Sequence, residues 1–158
     1  MPANSQLLNP DQIIMTPKDV NDRIVQHLQL RGYSIKRGDT HSEVDVRATK
    51  NNIELIIESR GNQAYKNEGT DIVFEGSQLD IHLSEHITQV MRFQQSLSTI
   101  KISIYIMGNP DILRIKERVA KVSEGLDKLE ILRFWVSNLN KIQIDGPDRL
   151  RVLLEEIL

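Results

Sequence analysis

The chain has no cysteine, which excludes disulfides, thiolate metal centres and cysteine nucleophiles. That absence is compatible with the cytosol and says no more about compartment. Aromatic side chains are also few, with one Trp, three Tyr and three Phe, so little is available for stacking nucleobases. There is no basic-then-apolar N-terminal segment and no apolar run of bilayer length. The expected setting is therefore intracellular, soluble and cytoplasmic, without a membrane partner. A surplus of one charge is missing too: 20 Lys and Arg stand against 22 Asp and Glu, a formal net charge of −2. This argues against strong, indiscriminate DNA binding, which usually needs a basic excess. A nucleic-acid enzyme remains compatible, because acidic metal ligands offset basic contacts in the total. With 158 residues, one domain with a real core is expected over residues 16–158, behind a loosely tied arm over 1–15.

What the chain does have is a pair of neighbouring β-type segments, Glu43–Thr49 and Ile53–Arg60. Both are rich in β-branched residues and largely alternate apolar with polar. Lys50-Asn51-Asn52 lies between them, and asparagine tolerates the left-handed backbone of a tight hairpin turn. A two-residue turn at Asn51 and Asn52 pairs position 50 with 53, and the same register sets Asp45 opposite Glu58. Glu43, Asp45, Arg47, Glu58 and Arg60 would then share one face. Like charges opposed across a sheet are destabilising, and a divalent cation between the two carboxylates turns that repulsion into a binding site.

Thr16-Pro17-Lys18-Asp19 starts a helix, with Thr16 as cap. Val20, Ile24, Val25 and Leu28 form its apolar stripe, and Gly32 its stop. Tyr33–Arg37 reads as a short strand. The segment from Gly61 to Gly76 is polar and glycine-punctuated, with Ile72–Phe74 as a further short strand. Ser77 can cap a second helix running to about Leu97, buried through Leu79, Leu83, Ile87, Val90 and Leu97. Lys101–Met107 reads as a strand, and Asn109-Pro110 opens a helix carrying Ile112, Ile115, Val119 and Val122. Strands at Ile131–Val136 and Lys141–Ile144 precede a helix over Asp148–Leu158. This order gives an α/β fold in which helices flank a mixed central β-sheet.

With those elements in place, the chain resembles the PD-(D/E)xK, or restriction-endonuclease-like, nuclease superfamily, whose core runs α-β-β-β-α-β. Asp45 matches the acid of the second strand, and Glu58-Ser59-Arg60 the acid-x-lysine tripeptide of the third, after the apolar run Leu55-Ile56-Ile57. Gln89-Val90-Met91-Arg92-Phe93 is similar to the Gln-x-x-x-Tyr signature of some branches, with Phe93 in the tyrosine's place. The likeness covers roughly residues 17–108. It implies a restriction-endonuclease-like core and a DNA endonuclease dependent on Mg²⁺ or Mn²⁺. Asp45, Glu58 and the Ser59 carbonyl would supply metal ligands, and Gln89 would orient water or a phosphate oxygen. The implied partner is DNA, double-stranded or branched, and a homodimer is compatible. Arg60 departs from the family's lysine: it can clamp a phosphate oxygen but effectively never acts as a base. The superfamily often adds an acid from the first helix. Asp22 is the nearest candidate, but it lies well away from the Val20/Ile24/Leu28 stripe.

Other readings compete. Asp45 and Glu58 could lie on an ordinary solvated sheet face, with Glu43 opposite Arg60 as a cross-strand ion pair. The fold could persist as a catalytically inactive binding or assembly module, with Arg60 marking lost activity. Gln89 could simply lie on the polar side of its helix. His82-Leu83-Ser84-Glu85-His86 matches the H-x-x-E-H motif of inverted zinc metallopeptidases, but no convincing third ligand follows, and His86 borders the apolar stripe. Gln94 falls within that helix's apolar face and needs a partner. Arg31, Lys36, Arg37, Arg47, Lys50 and Lys66 cluster loosely around the hairpin, either as ordinary surface or as contacts to a nucleic-acid backbone.

Overall fold

The computed structural model describes residues 11–40, 43–96, 102–138 and 141–157. Helix α1 (Pro17–Gln29) opens with a capping box. The Thr16 side chain accepts from the Asp19 N–H, and the Asp19 carboxylate accepts from the Thr16 N–H at 3.0 Å. The stripe Val20, Ile24, Val25 and Leu28 is buried. Gly32, at φ 88°, takes the left-handed turn into β1 (Ser34–Arg37). Strands β2 (Val46–Lys50) and β3 (Ile53–Ser59) form the expected hairpin. Asn51 sits at φ 56°, and Lys50 pairs with Ile53. After a short 3₁₀ turn (Tyr65–Asn67) come α2 (Gly76–Ser96), β4 (Ile102–Pro110), α3 (Leu113–Ala120), α4 (Ser123–Lys128), β5 (Ile131–Val136), β6 (Ile142–Asp145) and α5 (Asp148–Ile157).

The strands make one six-stranded mixed sheet in the order β1-β2-β3-β4-β5-β6. Strand β4 runs parallel to both β3 and β5, and the remaining neighbours are antiparallel. Parallel neighbours need crossovers, which α2 supplies between β3 and β4, and α3 and α4 between β4 and β5. Helices therefore cover both faces. Side chains of α1 and α5 pack on Leu55, Ile57, Ile106 and Phe134, while α2, α3 and α4 pack on Met107, Ile131 and Trp135. Every residue of β3 is buried, as a strand covered on both faces requires. No helix among the described residues is long and apolar enough to cross a membrane.

Several boundaries differ from the sequence reading. Ile72–Phe74 is not a strand: the Gln63 side-chain amide donates to the Thr70 and Ile72 carbonyls at 3.0 and 3.1 Å, satisfying them without a neighbouring strand. Asn109-Pro110 does not open a helix but ends β4, where Pro110 pairs with Val136. Proline cannot donate to the ladder, and the Asp111 N–H takes the Val136 carbonyl instead. The helical stretch after it is two helices, with Val122 at the break. Ser77 does not cap α2, which starts at Gly76; the Gln78 side chain accepts from the Glu75 N–H at 2.8 Å. Leu97, Lys101, Leu158 and residues 1–10 of the expected arm lie outside the described residues.

Residues 11–15 run against the domain. The Asp11 carboxylate is buried, accepts from Asn62 Nδ2 at 3.0 Å, and is gripped by Arg114 through two hydrogen bonds of 2.8 and 2.6 Å. The Met15 N–H donates to Asn62 Oδ1 at 2.8 Å, and the Asn62 N–H returns a bond to the Met15 carbonyl at 2.9 Å. This strap fits only because residue 61 is glycine: a Cβ there would overlap the Met15 carbonyl oxygen and lie 2.7 Å from the Thr16 carbonyl carbon. Both obstacles are backbone and cannot rotate away. Gly61→Ala should therefore cost about 2 kcal/mol of stability, read from the denaturant midpoint. An unchanged midpoint would contradict the strap's packing.

Candidate active site

The hairpin register carries Asp45 to the side of Glu58. Val46 pairs with Ile57, so Asp45, the residue before β2, lies opposite Glu58 one step further on. The Asp45 N–H approaches Glu58 Oε1 at 3.4 Å, and both side chains line the same cleft. Asp45 is anchored on three sides. Its Oδ2 accepts from the Ser59 N–H at 3.0 Å and from Asn21 Nδ2 at 3.2 Å, and its carbonyl accepts from the Gly38 N–H at 3.1 Å. Glu58 is only 8% exposed. Burial, reinforced by the Asp45 charge, pushes its carboxyl up to about 8 against the pull of Arg60.

Behind β3 stands His86 of α2, fully enclosed, with Nε2 2.6 Å from the Glu58 carbonyl oxygen. Burial, aided by the Arg60 and His82 charges, lowers its imidazole to about 3. His86 is thus neutral, and Nε2–H donates to the carbonyl. This bond ties α2 to the strand residue that carries the second acid. Arg60 follows β3, donates its N–H to the Gly108 carbonyl at 3.1 Å, and reaches Glu85 at 3.8 Å. A Cβ at Gly108 would crowd Ser59 Oγ and Ile24 Cδ1, two side-chain ends that would have to shift.

Asp45, Glu58, Ser59 and Arg60 line a common cleft of about 370 Å³, together with Thr40 and Tyr65. Gln89 is half-buried on α2, about one turn beyond Glu85 and His86, and is not among the residues lining the cleft. Asp22 is held by Lys18 and Arg37, each at 2.7 Å. The residue that α1 does bring to the acids is Asn21, 7% exposed. Positions 21, 24, 25 and 28 follow the helical i, i+3, i+4, i+7 spacing, so the amide was marked in the sequence as a polar member of the apolar stripe. The cross-strand pair of Glu43 with Arg60 is not formed: Glu43 accepts from Thr40 Oγ1 at 3.1 Å, and Arg60 turns to Glu85. Gln94 finds its partner in the Leu129 carbonyl at 2.7 Å.

The donor set fits a hard divalent cation. Two carboxyls converge without a basic residue between them. Two further buried oxygens, Oδ1 of Asn21, whose amide touches Asp45, and Oγ of Ser59, which lines the cleft, have no hydrogen-bond partner. Carboxylate, amide and hydroxyl oxygens are the ligands that Mg²⁺ and Mn²⁺ select. Among the described residues, no three His, Asp or Glu side chains form a metal-binding group, so any cation here would rely on these neutral oxygens and on water. The H-x-x-E-H segment gathers no comparable set: His86 Nε2 is committed to a carbonyl, and His82 contacts Glu85 at 3.6 Å and the Phe74 ring at 4.3 Å.

Comparison with protein-family models, with curated proteins and with solved structures finds no match.

The Glu58 geometry has a pH signature. A carboxyl that keeps its proton to about pH 8 in the fold, but releases it near 4.5 when unfolded, weakens folding as pH rises through that interval. His86 acts in the opposite sense: its contribution is complete above 6.5 and is lost as pH falls toward 3. Glu58→Gln keeps a neutral side chain at every pH. In EDTA it should melt about 5 °C above the parent at pH 8 and within about 1 °C of it at pH 4. Equal melting at pH 8 would contradict the buried, proton-holding carboxyl.

Proposed function

We propose that the protein is a phosphodiesterase dependent on Mg²⁺ or Mn²⁺ that hydrolyses DNA, a nuclease of the PD-(D/E)xK type. The observation that carries this reading is the convergence of the Asp45 and Glu58 carboxyls, from adjacent strands, at a cleft that Arg60 also lines. The order of the first six elements, α1-β1-β2-β3-α2-β4, supports it.

In this reading Asp45 and Glu58 hold the cation, with the Ser59 oxygens and Asn21 Oδ1 beside them. The bound ion would supply a water of lowered pKa and positive charge for the phosphoryl oxygens. Arg60 binds the scissile phosphate with its guanidinium, as a clamp rather than a base. His86 is a positioning residue: neutral and hydrogen-bonded to the Glu58 carbonyl, it sets the height of the acid on β3. Asn21 positions Asp45 in the same way. Gln89 does not line the cleft and takes no part in this reading. A homodimer would present two such clefts to the two strands of a duplex.

One feature favours a second reading, a non-catalytic binding module: the lysine of the motif is Arg60, and its partner is Glu85. Plasmid nicking separates the two. The protein is expected to nick supercoiled DNA with Mg²⁺ or Mn²⁺ and not in EDTA. Asp45→Asn should lower the rate at least about a hundredfold and Arg60→Ala at least about tenfold, with Arg60→Lys at least as fast as the parent. Nicking that survives Asp45→Asn would refute the assignment. Absence of nicking in both the parent and Arg60→Lys, without calorimetric Mg²⁺ binding, would establish the binding module.

A further inference from the structure

Strands β1 and β2 contain a second like-charge pair. Lys36 and Arg47 are direct partners in the antiparallel register. Such partners share a face with about 5 Å between Cβ atoms, and like charges there destabilise the sheet. Ile35, Val46 and Ala48 pack into the core under α1, so Lys36 and Arg47 project from the opposite face. Arg47 is offset only loosely, by Glu54 at 3.9 Å, and Lys36 has no ion pair among the described residues. The fold thus sets Lys36, without an ion pair among the described residues, beside an Arg47 whose ion pair with Glu54 is long.

Both side chains line a cavity of about 290 Å³. Its apolar floor is Val44 and Phe93, each about nine-tenths or more buried. Arg37 also borders it but is committed to Asp22 at 2.7 Å. Glu43, the one acid in the lining, is occupied by Thr40 Oγ1 and the Asp39 N–H. Gly38 lines both this cavity and the cleft that holds Asp45 and Glu58, so the two adjoin. An acid pair suited to a cation therefore lies beside a base pair suited to an anion.

We propose that Lys36 and Arg47 form an anion site that binds a phosphodiester group of a nucleic-acid strand, one flanking the phosphate held at Asp45 and Glu58. The identity of the ligand rests on the phosphodiesterase reading; the presence of an anion site does not. A flanking site makes the substrate a polynucleotide, since a mononucleotide ester has no second phosphate to place there.

The test is fluorescence anisotropy with a labelled DNA duplex in EDTA, which separates binding from cleavage. Lys36→Ala/Arg47→Ala should weaken binding about tenfold or more and flatten the slope of log K against log salt by about two. Lys36→Glu changes an exposed side chain only, so it tests the site even if the double variant fails to fold. It should weaken binding at least as much while raising the melting temperature by about 2 °C, because it removes the Lys36–Arg47 repulsion. Duplex affinity unchanged in folded Lys36→Glu would overturn the proposal. Inorganic phosphate should compete only poorly. Competition by free phosphate at concentrations matching the duplex's own phosphates would mark a free-phosphate site and overturn the polynucleotide assignment. The two readings fail separately: DNA binding that depends on Lys36 without any cleavage removes the nuclease and keeps the anion site, whereas metal-dependent cleavage that ignores Lys36→Glu does the reverse.

Discussion

The β2–β3 hairpin has one register, and that register drives two carboxyl groups together. A left-handed Asn51 closes the turn, Lys50 meets Ile53, and five pairs later Asp45 stands beside Glu58. A one-residue slip would turn every β2 side chain to the wrong face, exposing Val46 and Ala48 and burying Arg47. The hydrophobic effect acting on Val46, Ala48, Leu55 and Ile57 therefore holds two acids in a contact that electrostatics opposes. Burial, and after it this opposition, keeps the proton on Glu58 to about pH 8.

The surroundings keep that contact from relaxing. Asn21 and the Ser59 N–H fix the Asp45 carboxylate, His86 fixes the Glu58 carbonyl, and Gly108 lets β4 close against Ser59. The strap at residues 11–16, locked by Asp11 to Asn62 and Arg114, holds the chain leaving Arg60. Besides the Ser59 N–H of β3 itself, the supports come from four separate parts of the chain: α1, α2, β4 and the segment before α1. The acid pair is thus a property of the whole α/β framework rather than of the hairpin alone.

Much of this was legible in the sequence, because local rules govern it. The Thr16 cap, the Val20–Leu28 stripe, the Asn51 turn and the 45–58 register all follow from propensity, periodicity and turn chemistry. The misread parts depend on contacts distant in the chain. Ile72–Phe74 has strand-like residues, yet Gln63 satisfies the Ile72 carbonyl; Asn109-Pro110 has a helix-opening pattern, yet pairing with β5 draws it into the sheet. Asn21 and His86 were missed as site supports for the same reason. An amide within an apolar stripe and a histidine beside one show that a polar partner must exist, but the partner is identified only when the helices dock.

The most direct test is anomalous diffraction from crystals soaked in Mn²⁺. A single strong peak between the Asp45 and Glu58 carboxylates, absent from Asp45→Asn crystals treated alike, is the expected result. No peak between those residues in the parent, or one that persists unchanged without the Asp45 carboxylate, would contradict a cation shared by the two strands.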